Sequence, residues 1–208
     1  MSHILYSFRR CPYAMRARMA LWYAEIPIEL REVVLKNKPA EMIALSPKAT
    51  VPVLYTGDEQ VIDESVDIMR WALEKNDPDA WLQISPAGEA LIIENDGDFK
   101  QWLDRYKYSD RHPETEEYYR EKGVSFIQKL EQALQDSPYL QGQNVTLVDM
   151  AIFPFIRQFA HVDKDWFFQA DFPKVQAWLN GFLEGDLFKS IMKKYKPWES
   201  GSLGISAP

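Results

Sequence analysis

The sequence predicts an α/β domain followed by an all-helical one, and three observations carry that prediction. Residues 1–76 alternate between strand-like and helix-like patterns. Strand signals vanish after them. The stretch NDPDAWLQISP between the two halves carries two prolines and several turn formers. The limits that follow are 1–76 for the first domain, 77–87 for a linker, 88–198 for the helical domain and 199–208 for a loose, Gly/Ser-rich tail.

Residues 3–8 are a short apolar run that suits a strand, and Arg9 and Arg10 break it. Pro12 stands where a helix begins, because its missing N–H costs little at the first position and its fixed φ helps. Residues 15–24 are rich in Ala, Met and Leu, good helix formers, and Glu25-Ile26-Pro27 ends them. Residues 28–34 alternate as IELREVV, a second strand, and 39–45 read as a short helix. Residues 51–55, the turn Thr56-Gly57-Asp58 and residues 59–62 form a β-hairpin pattern. Val66, Ile68, Met69 and Ala72 have helical spacing across 65–73. The order is β-α-β-α-β-β-α. Beyond the linker, 88–107, 114–134, 147–161, 172–183 and 187–195 read as helices. Thr146 with Asp149 three residues on resembles a capping box.

Composition bounds the function. With 46% hydrophobic residues in 208, the chain buries a real core, and its seven Trp, ten Tyr and eleven Phe favour large packed surfaces and are compatible with a pocket for flat organic molecules. A net charge of −7 repels phosphate backbones and anionic lipid, which argues against nucleic-acid and membrane partners. Lys189, Lys193, Lys194 and Lys196 form the one basic cluster, read as compensation of the last helix's C-terminal dipole. A single cysteine excludes an intramolecular disulfide and suits a reducing compartment, hence a cytoplasmic expectation. The first residues do not read as a secretory signal, no apolar run is long enough to span a membrane, and the sequon at Asn144 is taken as chance. His3, His112 and His161 are scattered, so no metal site is expected. Neither a phosphate loop nor a nucleophile elbow is present.

The chemistry concentrates at Cys11. It follows a strand and precedes a proline-started helix, which puts its sulfur near unsatisfied N–H groups and the positive end of the macrodipole. Arg9, Arg10 and Arg16 add positive charge nearby in sequence. Such surroundings favour the thiolate, the reactive form; the plain alternative is a buried, inert cysteine. Val51-Pro52 opens a strand. A cis proline there would leave the Val51 backbone to pair with an extended ligand, whereas a strand-initial proline needs no function. Glu64-Ser65 begins a helix, where a carboxylate is held or an ordinary N-cap sits.

These segments together carry a resemblance. CPYAMRARMAL after the first strand, LKNKP at 35–39, TVPVL at 50–54 and DES at 63–65 resemble the glutathione transferase superfamily, and TLVDMAIFP at 146–154 resembles the capping motif of its helical domain. Cysteine in place of serine or tyrosine, and the Lys within KNKP, look closest to omega-class and related bacterial Cys-type members. The resemblance implies a thioredoxin-like first domain, a homodimer and glutathione as co-substrate. It implies that Cys11 forms a mixed disulfide with glutathione, with Tyr13 flanking the thiol and Lys38 pairing a glutathione carboxylate. Val51, before Pro52, would meet the tripeptide's backbone, and Glu64 and Ser65 its γ-glutamyl end. The dithiol relatives' second cysteine would fall at position 14, where Ala14 stands, so a monothiol cycle follows. Tyr6 and Ser7 are the competing candidates for the thiol-activating residue.

In this superfamily a second-substrate pocket for a small hydrophobic or disulfide compound lies between the domains. Trp102, Tyr106, Tyr108 and Trp166 are the aromatic candidates here, with Arg105 and Arg157 as possible cations; each also fits a core or surface role. The predicted function is a glutathione-dependent thiol transferase or reductase, acting in deglutathionylation or dehydroascorbate-type reduction. The rivals are conjugation of glutathione to electrophiles and a non-catalytic, regulatory protein with a transferase fold.

Overall fold

The computed structural model describes residues 3–208, and the statements below concern those residues. The chain forms two compact units: Asp79–Glu184 is one, and the chain up to Pro78 joins Gly185–Pro208 in the other.

The first unit is built on a five-stranded sheet of order β4-β3-β1-β2-β5. The strands are β1 (His3–Ser7), β2 (Ile28–Glu32), β3 (Val53–Tyr55), β4 (Val61–Ile62) and β5 (Ile205–Ala207). β1 and β2 run parallel with His3 opposite Ile28, and the other pairings are antiparallel. Parallel neighbours need a crossover, and α1 (Pro12–Tyr23) supplies it. α1 packs against α3 (Ser65–Lys75), burying Ala14, Met15, Met19, Ile68, Met69 and Ala72. The short α2 (Ala40–Leu45) contributes Met42 to a cluster with Tyr6, Val33, Val51 and Val53. The first seven elements are in the expected β-α-β-α-β-β-α order.

The end of the chain departs from expectation. Residues 199–208 are not a loose tail: β5 pairs with β2, with Ile205 opposite Leu30 and Ala207 opposite Ile28. An uncovered sheet edge offers a row of unpaired backbone groups, and this segment takes them. The approach is close enough to require glycine, because a Cβ on Gly204 would stand 2.7 Å from the Leu30 carbonyl oxygen. Upstream, the Trp198 N–H donates to the Glu32 carbonyl at 2.8 Å. The preceding helix, α10 (Asp186–Ile191), ends before Lys193, Lys194 and Lys196, so of the four lysines only Lys189 sits in its last turn.

The second unit is helical: α4 (Pro86–Glu94), α5 (Lys100–Lys107), α6 (Glu116–Ala133), α7 (Leu147–Ala160), α8 (Lys164–Gln169) and α9 (Pro173–Glu184). The predicted single helix over 88–107 is interrupted by a π-helical segment, Asn95–Phe99, and α8 is an addition to the predicted set. α7 is buried almost throughout. Gly123 lets Phe159 lie against α6, where a Cβ would stand 2.6 Å from the ring. The capping box forms as predicted. Asp149 is fully buried, and its carboxylate accepts from the Thr146 N–H and hydroxyl, the Leu140 N–H and the Trp178 indole N–H at 2.9–3.1 Å.

Candidate active site

β1 ends at Ser7, and a four-residue turn closes with the Cys11 N–H donating to the Phe8 carbonyl at 3.0 Å. Cys11 is the N-cap of α1 in extended geometry, with Pro12 in the first turn. No side chain caps this helix and its first turn contains no acidic residue. The positive end of the α1 dipole is therefore left to whatever charge stands at Cys11. The half-buried thiol donates to the Val51 carbonyl oxygen at 3.7 Å and packs on the Tyr6, Val33, Met42, Val51 and Val53 cluster. The Val51–Pro52 peptide is cis.

The other two thiol-activating candidates are engaged in the fold. Tyr6 is 1% exposed, and its hydroxyl accepts from Arg31 at 2.6 Å. Burial pushes that phenol above its ordinary range, against the pull of Arg31. Trp198 meets the Tyr6 ring edge-on at 5.9 Å and carries the Arg31 guanidinium 4.2 Å above its own ring. The Ser7 hydroxyl accepts from Arg18 at 2.8 Å.

The start of α3 is the second polar region of this unit. Glu64 occupies the N-cap and Ser65 the first helical position. Ser65 is buried, and its Oγ accepts from the buried Arg16 Nε at 3.0 Å. Arg16 also lies over the Tyr13 ring at 5.1 Å. Arg16 is thus not a loose charge near the thiol. It joins α1 to the head of α3 and touches both Tyr13 and Ser65. The Glu64 carboxylate pairs with Lys48 Nζ at 2.6 Å, and Lys48 reaches Asp63 at 3.1 Å. Asp63 accepts from the Ser46 hydroxyl at 2.6 Å, and that bond, with Lys48, holds its carboxyl below the usual range. Lys38 is half-buried in the segment between the 34–37 turn and α2. Cys11 and Val51 are thus in contact, Tyr13 and Ser65 are joined through Arg16, and Glu64 stands beside Ser65.

Sequence reasoning missed Lys48, Arg31, Trp198 and the bonding role of Arg16. Arg16 had a signal, its i, i+3 spacing from Tyr13; Lys48 and Trp198 had none, because their partners are distant in sequence.

The aromatic candidates belong to the second unit. Trp102 is half-buried and stacks on Tyr119 with centroids 6.5 Å apart, beneath Arg105. Tyr106 is a core residue against Phe159, and burial pushes its hydroxyl up to about 12. Trp166, half-buried, carries the Arg120 guanidinium 4.4 Å over its ring and meets Phe159 edge-on. Among the described residues no group of His, Cys, Asp and Glu is placed to hold a metal ion, and no helix is long and apolar enough to cross a membrane.

Comparison with known proteins bears on this geometry. The family model for the glutathione S-transferase N-terminal domain matches residues 5–81, and that for the C-terminal domain matches 99–181. The chain is 24% identical over 185 residues to the probable cytosolic glutathione S-transferase DHAR1 of Oryza sativa subsp. japonica, covering 86% of this chain and 82% of the relative. It is 25% identical over 181 residues to glutathione S-transferase omega-1 of Mus musculus, covering 84% and 74%. Among solved structures, a glutathione transferase from Pseudomonas putida with one glutathione disulfide bound per subunit superposes with a TM-score of 0.79 at 19% identity, covering 92% of this chain and 91% of that one. A Pseudomonas fluorescens family member with two glutathione bound gives 0.78 at 19%, covering 92% of each. The thioredoxin-like mixed sheet followed by a helical domain is the fold of these structures.

Proposed function

This chain belongs to the glutathione S-transferase family, a family of transferases, and on that premise we propose that it is a Cys-type thiol transferase working through a Cys11–glutathione mixed disulfide. The observation that carries the reading is the position of Cys11 as N-cap of an otherwise uncapped, acid-free helix start. A helix N-terminus and nearby cations lower a thiol pKa and hold the thiolate.

The cycle balances without a metal or a second cysteine. The Cys11 thiolate attacks the glutathione sulfur of a mixed disulfide, R–S–SG. The new bond is Cys11–S–SG, the S–S bond of the substrate breaks, and the R–S⁻ leaving group takes a proton from solvent. A glutathione thiolate then attacks the Cys11–SG bond, which releases oxidised glutathione and regenerates the Cys11 thiolate. Dehydroascorbate-type compounds are the other substrate class: two glutathione molecules supply the two electrons, and the disulfide forms by the same second step.

This chain's own groups suit the tripeptide. The Val51 backbone, next to the sulfur, would pair with the cysteinyl residue as an added strand does. The α3 N-terminus and the Ser65 hydroxyl would take the γ-glutamyl carboxylate. Ser65 accepts from Arg16 and still has its O–H to donate. Glu64 would take the γ-glutamyl ammonium in exchange for Lys48, an exposed pair that is easily displaced. Lys38 would meet the glycyl carboxylate, and Tyr13 the thiol. Trp102 and Trp166, both half-buried, are carried as candidates for the second-substrate side, whereas Tyr106 is 1% exposed and belongs to the core. A homodimer and a cytoplasmic location belong to the same reading. Engagement of Tyr6 by Arg31 and of Ser7 by Arg18 favours this cycle over conjugation.

The test is paired turnover: reduction of a small glutathione mixed disulfide against conjugation of glutathione to a chloronitrobenzene, for wild type and Cys11→Ser. The expected result is reduction by wild type, lost in the variant, with little conjugation. Conjugation by wild type that survives the substitution would overturn the proposal.

A further inference from the structure

Arg18 is a fully buried charged group of the first unit to which the proposed cycle gives no work. It is 1% exposed, deep in α1, seven residues after Cys11 and so on the same helical face. Isolated buried cations are costly and are kept where they are paired and hydrogen-bonded. The Arg18 fork makes two bonds to the segment that presents the thiol: Nη1 donates to the Ser7 Oγ at 2.8 Å and Nη2 to the Arg9 carbonyl at 2.7 Å. A planar guanidinium fixes two acceptors at once, which an ammonium does not. The same turn is gripped from the other side, where the Arg9 N–H donates to the Glu32 carboxylate at 2.8 Å. The end of β2 adds the Val33 N–H, which donates to the Ser7 carbonyl at 2.8 Å. The turn over residues 8–11 is therefore tied at Ser7 and at Arg9.

We propose that Arg18 is a positioning residue for Cys11: its buried guanidinium, bonded to Ser7 and to the Arg9 carbonyl, clamps the turn over 8–11 that presents the sulfur and brings a fixed positive charge to that turn. The proposal rests on the reading of Cys11 as the attacking thiol. The titratable groups facing Arg18 are Glu32, Cys11, Arg9 and Tyr195; burial lowers the Arg18 pKa to about 10, so the group stays charged at neutral pH. Burial also raises the Glu32 pKa, against the Arg9 N–H bond and the charges of Arg18 and Arg9, so this region is partly desolvated. In such surroundings a neighbouring charge acts with little screening. The clamp lets the thiolate form without relying on the exposed Arg10.

The experiment reads the thiol itself. The chain has one cysteine, so intact-protein mass after timed reaction with iodoacetamide, across pH, gives the Cys11 titration midpoint without any glutathione chemistry. The proposal predicts that Arg18→Met raises that midpoint by about one pH unit or more. Arg18→Lys, which keeps the charge but cannot hold both acceptors, is predicted to fall between wild type and Arg18→Met. A folded Arg18→Met protein with the wild-type midpoint would overturn the proposal. If Arg18→Met does not fold, Ser7→Ala removes one anchor and leaves the charge. It is predicted to speed hydrogen exchange across residues 8–14 several-fold, and unchanged exchange there would overturn the clamp. Failure of the thiol-transfer reading shows up elsewhere, as wild type with a low midpoint that takes up no glutathione.

Discussion

Two helix N-termini in this chain face the same physical problem and resolve it in opposite ways. Each leaves backbone N–H groups unpaired and the positive end of a dipole exposed. At α7 the chain supplies its own anion. Asp149, fully buried, takes four donors from Thr146, Leu140 and Trp178, so nothing is left for a ligand. At α1 the first turn has no acid and no capping side chain, and the N-cap is a half-buried thiol. The first arrangement ties the start of α7 to Leu140 and Trp178, and the second leaves the start of α1 to the thiol itself. A helix start is thus read as structural or chemical by asking whether its own sequence neutralises it.

Breaking each end gives opposite signatures. Cys11→Ser is expected to have the largest effect, a loss of about three orders of magnitude or more in disulfide-reduction turnover. Its thermal midpoint should stay within a few degrees of wild type; a paired assay and melt check both. Asp149→Ala should do the reverse. Several buried donors, including the Trp178 indole, lose their acceptor, and the unfolding free energy is expected to fall by about 3 kcal/mol in a urea titration. The folded fraction should keep wild-type iodoacetamide reactivity at Cys11.

Ser65→Ala sharpens the contrast within the first unit. It removes the acceptor of the buried Arg16 Nε and one proposed donor to glutathione. Steady-state kinetics should show KM for glutathione rising about tenfold, with kcat changed far less, as expected for lost ground-state binding. The smallest effect is expected at His3, where β1 begins. Its Nδ1 accepts the Gly57 N–H at 2.9 Å, which requires a neutral ring, and burial, with Lys75, lowers its pKa below 6.5. The folded state then binds fewer protons than the unfolded one. The contribution is complete above about pH 6.5 and is lost as pH falls below it. Melts of wild type at pH 7.5 and 5.5 should differ more than those of His3→Gln, by about 1–2 °C.

The same division governs what was legible in the sequence. Cys11-Pro12, the β-hairpin and the Thr146–Asp149 box are local signals, spelled out over a few adjacent residues, and each appears where the pattern puts it. The Ala14–Leu21 core of α1 and the apolar run of α7 are legible for the same reason. What was lost depends on contacts remote in sequence. β5 is three residues without a strand signature and exists because the edge of β2 lies open beside it. Trp198 sits on Tyr6 and Arg31 because that strand brings the chain back. Arg16 and Arg18 look alike as charges on a helix, and only the fold separates the one that reaches Ser65 from the one that ties the Cys11 turn. The lysines after Ile191 were assigned to a helix end that comes earlier, since alternating basic and apolar residues do not mark a stop.

The central claim is that the open helix end carries a thiolate that captures glutathione. Intact-protein mass after incubation with oxidised glutathione, across pH, tests it most directly, with wild type and Cys11→Ser side by side. The account predicts one added glutathionyl group on wild type, still forming below pH 7 and absent from the variant. Bound glutathione without a covalent adduct on wild type, at any pH up to that of an ordinary thiol near 8.5, would contradict it and assign Cys11 to the structure alone.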